Sequence, residues 1–207
     1  MTDFDRKTHW DNVYTTKHET EVSWFEASPA ISLDLIHATG VSTGASIIDI
    51  GGGASRLVDG LLSRDFKAIT VLDLSMKALE AARTRLEEAG STVDWVVADV
   101  TKWEPSRSYD VWHDRAAFHF LTEPHDQAGY AEQVSKAVHP GGHVIIGTFA
   151  PDGPERCSNL QVVRHDAASI GKILGNAFVL ADERRHGHET PSGSTQWFQF
   201  SRFRRIN

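Results

Sequence analysis

The chain holds a single cysteine, Cys157, in 207 residues. One cysteine excludes an internal disulfide and fits a reducing compartment. Long apolar runs are also missing, and no stretch approaches the roughly 18 residues that a membrane-spanning helix needs. The start, Met1-Thr2-Asp3-Phe4-Asp5-Arg6-Lys7, has no apolar signal core. A cytoplasmic location without membrane partners is the expectation. Positive charge is scarce, with 21 Lys and Arg against 28 Asp and Glu and a net charge of −7. A nucleic-acid binder asks for a basic face, so nucleic acid is excluded as an expected partner. The arginines of the tail, Arg202, Arg204 and Arg205, are expected on a solvated strand edge. There are no internal repeats and no low-complexity tract.

Apolar residues make up 40% of the chain, enough for one α/β domain with a sizeable core. The stretch Ser46-Ile47-Ile48-Asp49-Ile50-Gly51-Gly52-Gly53-Ala54-Ser55 organises it. Ile47-Ile48 suits a buried parallel strand. Three glycines then allow a sharp turn or close approach to a ligand. Leu57, Val58, Leu61 and Leu62 follow at the spacing of one helix face. Strand, glycine turn and helix form the nucleotide crevice of a doubly wound sheet. A second strand, Ala68 to Leu72, ends in Asp73, where a carboxylate can accept both hydroxyls of a ribose. A dinucleotide fingerprint would need its third glycine at Arg56, and Asp49 before the turn would repel a pyrophosphate. A carboxylate there suits a cationic or amine-bearing ligand.

Asp49-x-Gly51-x-Gly53 resembles the pattern of class I S-adenosylmethionine-dependent methyltransferases. The resemblance implies a Rossmann-like, mostly parallel seven-stranded α/β sheet with an antiparallel C-terminal strand and helices on both faces. It implies one domain: a helical lid over 1–44, a cofactor core over 45–149, and a substrate loop with a C-terminal hairpin over 150–207. Asp49, Gly51 and Gly53 would line the methionine part of S-adenosylmethionine. Asp73, with Leu74 and Ser75, would hold the ribose. Asp99 would accept the amine of adenine, with Val100 presenting the neighbouring amide. Ser55 departs from the family, many members of which carry a glycine there.

Trp10-Asp11-x-x-Tyr14, followed by Val22-Ser23-Trp24-Phe25, is similar to the lead-in of lysine methyltransferases acting on citrate synthase and elongation factor 1A, and of bacterial relatives of unassigned substrate. The segment would lie over the cofactor, with Tyr14 and Trp24 either in the lid or in the core. Trp10, Tyr14, Trp24 and Phe25 would exclude water. Farther on, Ser75 is placed to cap a helix ending at Gly90, and the third strand is Val93 to Val97. The order β-α-β-α-β-α-β-α-β-α-β-β is expected.

The fourth strand, Tyr109 to His113, leads into Asp114-Arg115 at the mouth of the crevice. Arg115 could clamp a carboxylate, and Asp114 could fix Arg115 or bind the cofactor's ammonium; a structural ion pair is the alternative. His113 and His119 are the candidates for a general base, each against a structural role. Pro140-Gly141-Gly142 ends a helix that begins near Glu123. In the loop after strand five, Phe149 and Cys157 are placed to border an acceptor pocket. A helix over Asp166 to Leu174 precedes two antiparallel strands, Phe178–Arg185 and Gln196–Arg204. His186-Gly187-His188 lacks a third metal ligand and reads as a solvated hairpin loop, so no metal is expected.

The expected reaction is in-line methyl transfer from S-adenosylmethionine, leaving S-adenosylhomocysteine, to a small-molecule acceptor. Arg115 and Arg156 favour an anionic one. A protein lysine acceptor and a non-catalytic cofactor-binding module are the alternatives, and a nicotinamide oxidoreductase is more distant. Monomer and homodimer both stay open.

Overall fold

The computed structural model describes residues 5–207; the expectation for the first four residues lies outside them. Helix α1 (Arg6–Thr16) begins where the Asp5 carboxylate accepts the Thr8 N–H. After a short 3-10 turn comes α2 (Ala30–His37), which buries Leu33, Leu35 and Ile36 in the core. The central elements follow as β1 (Ser46–Ile50), α3 (Leu57–Leu62), β2 (Ala68–Asp73), α4 (Met76–Leu86), β3 (Asp94–Val97), β4 (Tyr109–Arg115), α5 (Pro124–Ala137) and β5 (Val138–Phe149). A small ribbon, β6 (Arg156–Cys157) and β7 (Leu160–Gln161), precedes α6 (Ala167–Leu174), β8 (Phe178–Glu189) and β9 (Thr195–Arg205).

Seven strands form one sheet in the order β3-β2-β1-β4-β5-β9-β8. The first five are parallel, and β9 runs antiparallel between β5 and β8. The strand order reverses between β1 and β4, so a crevice opens outside their C-terminal ends. Side chains alternate across the sheet. Ile47, Val111 and Ile145 pack on one face; Ile48, Ile50, Trp112 and Ile146 pack on the other. That two-sided burial is why β1 reads as a continuous apolar run.

The structure corrects several expectations. Residues 98–108 between β3 and β4 hold a turn and no helix. Helix α4 stops at Leu86, and a 3-10 stretch carries the chain through Gly90, whose carbonyl accepts the Trp95 indole N–H at 3.1 Å. His186 and His188 lie within β8, and the tight turn falls beyond it, at Thr190 to Ser194. His188 is 3% exposed and donates its Nε2–H to the Ser23 carbonyl at 2.7 Å. The arginines of the tail sit on an internal strand: Arg202 meets His143, and Arg205 stacks over Phe178. Among the described residues no helix is long and apolar enough to cross a membrane, and no cluster could hold a metal ion.

Candidate active site

The glycine turn leaves β1 and passes directly under the end of β2. Gly51 and Gly53 have φ of +64° and +36°, where L side chains are strained. A Cβ on Gly51 would stand 2.5 Å from the Ala117 methyl, and one on Gly53 would stand 2.7 Å from Asp73 Oδ2. The turn is thus a cradle with no room for side chains. Asp73 ends β2 and accepts the Ser75 N–H at 2.8 Å on Oδ1. Burial, followed by the negative charges of Asp49 and Asp11, pushes its carboxyl up to about 7. Ser75 is fully buried: its hydroxyl caps α4 at Ala78 and donates to Asp11 at 2.7 Å. It anchors α1 and does not face the crevice, a correction to its expected place beside the cofactor. Leu74, Val100 and Asp99 do face it. Asp99 also caps its own turn, taking the Thr101 N–H and hydroxyl at 3.0 and 2.7 Å.

The chain before α2 forms the roof. Trp24 donates its indole N–H to the Tyr14 hydroxyl at 3.1 Å. Trp10 meets Trp24 and Phe120 edge to face, at 5.6 and 5.0 Å between centroids. Ion pairs hold the roof down: Arg6 to Asp126 at 3.3 Å, Glu19 to Arg56 and Arg85, and Glu26 to Arg115 at 3.0 Å. Beneath it lie two adjoining cavities, about 790 and 580 Å³ with the open solvent at their mouths included. Both are bordered by Tyr14, Trp24, Gly51 and Arg115. The larger runs along Asp73 and Asp99; the smaller is floored by Asp49.

Asp114 and Arg115 do not pair. Neighbours on a strand point to opposite faces. Asp114 turns into the far core, fully buried, and accepts the N–H groups of Ala117 and Phe118 and the Tyr130 hydroxyl. Burial raises its carboxyl to about 6. It is a strut of the strand end and cannot reach a ligand's ammonium. Arg115 faces the crevice over the Phe198 ring, donates to the Trp24 carbonyl at 2.9 Å and pairs with Glu26. Burial lowers the pKa of Arg115. Burial raises that of Glu26, but His188, Arg115 and His186 outweigh it and hold the carboxyl below its usual range. Arg115 Nε and Glu26 Oε2 are buried without hydrogen-bond partners among the described residues.

Neither histidine is placed as a general base. His113 is 2% exposed, with Nδ1 2.7 Å from Asp49 Oδ1 and Nε2 2.9 Å from Ser32 Oγ. Both ring nitrogens are occupied. His119 is sealed between Phe120 and Phe149, and burial drives its pKa down to about 3. Cys157 borders the crevice, its thiol pushed up to about 11 by burial; Phe149 lies behind in the core. Phe25 is half-buried under the Arg56 guanidinium. Glu26, Glu19, Arg6 and Phe120 escaped the sequence reading. Their partners lie far away in the chain, and no local spacing announces them.

Residues 47–142 match the family described as methyltransferase domain. That stretch resembles the class I S-adenosylmethionine-dependent methyltransferases. The chain is 30% identical over 146 residues to the ubiquinone biosynthesis O-methyltransferase of Nitrosomonas europaea, covering 70% of this chain and 55% of that protein. It is 29% identical over 154 residues to the N-terminal Xaa-Pro-Lys N-methyltransferase 1 of Rattus norvegicus, covering 69% and 66%. The chain spans about half the length of the ubiquinone proteins it matches. Its fold superposes on the N-methyltransferase NodS of Bradyrhizobium japonicum, solved with S-adenosylhomocysteine, at a TM-score of 0.74, 16% identity and coverage of 98% and 100%.

Proposed function

We propose that the crevice binds S-adenosylmethionine and that the protein transfers its methyl group to a small molecule. The observation that carries this reading is the convergence of Asp49, the side-chain-free glycine turn, Asp73 and Asp99 along one crevice. The donor set fits the group. Asp73 offers a carboxylate to paired hydroxyls, and Asp99 offers one to an exocyclic amine. Arg115 borders both cavities and Glu26 the smaller one, a cation and an anion that suit the carboxylate and ammonium of an amino acid. The matched relatives acting on small molecules support the acceptor class.

When bound, S-adenosylmethionine supplies a methyl group already activated on a sulfonium. The protein's part is alignment and dryness. Trp10, Tyr14 and Trp24 close the roof and exclude water, and their ring faces favour a cation. Arg115 and Glu26 tie that roof to β4 and β8, so anything held at Arg115 is held against a fixed wall. Asp49, oriented by His113, places negative charge beside the turn. A cytoplasmic location is part of the same reading, supported by the lone, buried cysteine.

Calorimetric titration with S-adenosylmethionine and S-adenosylhomocysteine, with NADH as control, tests the proposal. Micromolar binding of the two sulfur ligands alone is expected. Binding of NADH instead, or of nothing, would leave the glycine turn as architecture.

A further inference from the structure

Three arginines face the two cavities, and carboxylates meet each of them. Arg6 lies 3.6 Å from Asp99 and 3.3 Å from Asp126; Arg56 pairs with Glu19 and lies 3.7 Å from Asp59; Arg115 pairs with Glu26 at 3.0 Å. What charge Arg115 has left points to the cofactor's carboxylate. This overturns the case for an anionic acceptor built on Arg115 and Arg156; Arg156 is exposed at the surface and lines neither cavity. The wall left for an acceptor is aromatic and half-buried: Trp10, Tyr14, Trp24 and Phe120, with Cys157 beside them. An anionic acceptor seated there would lose its water without gaining a partner.

The proton-accepting groups in reach are equally committed. His113 is held at both nitrogens, and His119 is sealed away from the cavities. His9 packs edge-on against Trp10 at 5.1 Å and meets Ser158 at 3.1 Å, outside the cavity lining. Asp73 and Asp99 sit at the end given to the cofactor. Asp49 is engaged by His113, Glu19 by Arg56 and Arg85, and Glu26 by Arg115 and His188. A lysine ammonium, only about one part in 2,500 free amine at neutral pH, would therefore meet only carboxylates already paired among the described lining residues.

Resting on the functional reading above, we propose that the acceptor is an uncharged, flat heteroaromatic molecule, methylated on a nitrogen whose lone pair is free at neutral pH. It stacks on the Trp10, Tyr14, Trp24 and Phe120 wall. The nitrogen lone pair forms the N–C bond as the C–S bond breaks, and the bonding pair stays on sulfur. The positive charge passes to the ring, and a proton leaves to water only if the nitrogen carried one. No enzyme base takes part.

The test first saturates the protein with S-adenosylhomocysteine, followed by calorimetry. Absence of that binding would bring down the functional reading itself, and this proposal with it. Quinoline, benzoate and N-acetyl-lysine methylamide are then titrated against the loaded protein. Quinoline is expected to bind at least tenfold more tightly than the other two, and at least fivefold more weakly to Trp10→Ala. With labelled S-adenosylmethionine kept saturating at every pH, transfer to quinoline is expected to give N-methylquinolinium at a rate flat between about pH 6.5 and 9. Equal or tighter binding of benzoate or the lysine amide, binding of none of the three, or a rate climbing tenfold per pH unit would each overturn the proposal.

Discussion

The Asp49 carboxylate receives His113 Nδ1–H at 2.7 Å, and the opposite nitrogen of that ring meets Ser32 Oγ at 2.9 Å. The relay joins α2, β1 and β4 beneath the glycine turn, and all three residues are buried. Its arrangement suits the holding of a carboxylate at a fixed angle. His113→Ala would leave Asp49 without its donor and open a cavity, so a loss of about 2–4 kcal/mol of stability is expected. Ser32→Ala should cost about 1 kcal/mol. Urea unfolding of the two variants measures both. Unchanged unfolding with turnover abolished would restore His113 as a general base.

Asp73 sets a pH dependence whose sign is fixed by its raised carboxyl. Burial, then Asp49 and Asp11, lift it from 3.8 to about 7. Between those values the folded protein holds a proton that the unfolded chain has lost. Stability without ligand should therefore fall as pH rises from about 4 to 7, then level off. Asp73→Asn should flatten that part of the profile and leave the protein more stable than the wild type above pH 7. Ligand binding has the opposite slope, because ribose hydroxyls donate to the ionised form. S-adenosylhomocysteine affinity should weaken up to tenfold for each pH unit below 7. Calorimetry in two buffers of different ionisation heat would register proton release. Affinity independent of pH from 5.5 to 8.5 would show that Asp73 is not the ribose acceptor.

The parts legible from sequence were those written in local patterns. The Ile47-Ile48 run, the three glycines and Asp73 at the next strand end gave the sheet, its switch point and the line of the crevice. Asp99 and the Trp10-Tyr14-Trp24 roof residues also fall along that crevice. What stayed hidden was pairing across the chain. Asp114 beside Arg115 looks like an ion pair, yet strand alternation sends the two to opposite faces; that inference was available once both were assigned to β4. Glu26 was beyond reach, since its meaning depends on Arg115, His186 and His188. His186-Gly187-His188 reads as a turn, but Gly187 is the place where the Trp197 ring lies against the strand, with atoms 3.2 Å from where a Cβ would stand.

Glu26 is expected to be the tie that closes the roof. Its Oε1 lies 3.0 Å from Arg115 and 3.3 Å from His188 Nδ1, and the carboxyl is largely buried. Glu26→Ala would leave Arg115 unpaired; the loss, tempered by residual solvent at both side chains, is expected to be about 2–4 kcal/mol. Because the carboxyl is held below its usual range, this stabilisation is present above about pH 4.5 and disappears as pH falls. The local signature is faster proteolytic cleavage between residues 17 and 28, with the sheet intact by hydrogen exchange. Uniform loss of protection across the sheet would instead make Glu26 a global core residue.

Gly53 separates cradle from scaffold. Its φ of +36° is strained for any side chain, and an added Cβ would stand 2.7 Å from Asp73 Oδ2 and 3.0 Å from the Ala78 methyl. The carboxylate tip is the softer of the two, so Gly53→Ala should push Asp73 aside at an expense of about 1–3 kcal/mol in stability. The Ser75 N–H holds Oδ1 and the Gly53 backbone also donates to the carboxylate, so the substitution disturbs the very group proposed to meet the ligand. S-adenosylhomocysteine affinity should therefore drop at least tenfold, and combining Gly53→Ala with Asp73→Asn should add little to that drop. Calorimetry on the two single variants and the double variant decides it. Fully additive losses would mean that the glycine acts on the ligand through space of its own, and that the close approach to Asp73 is incidental to binding.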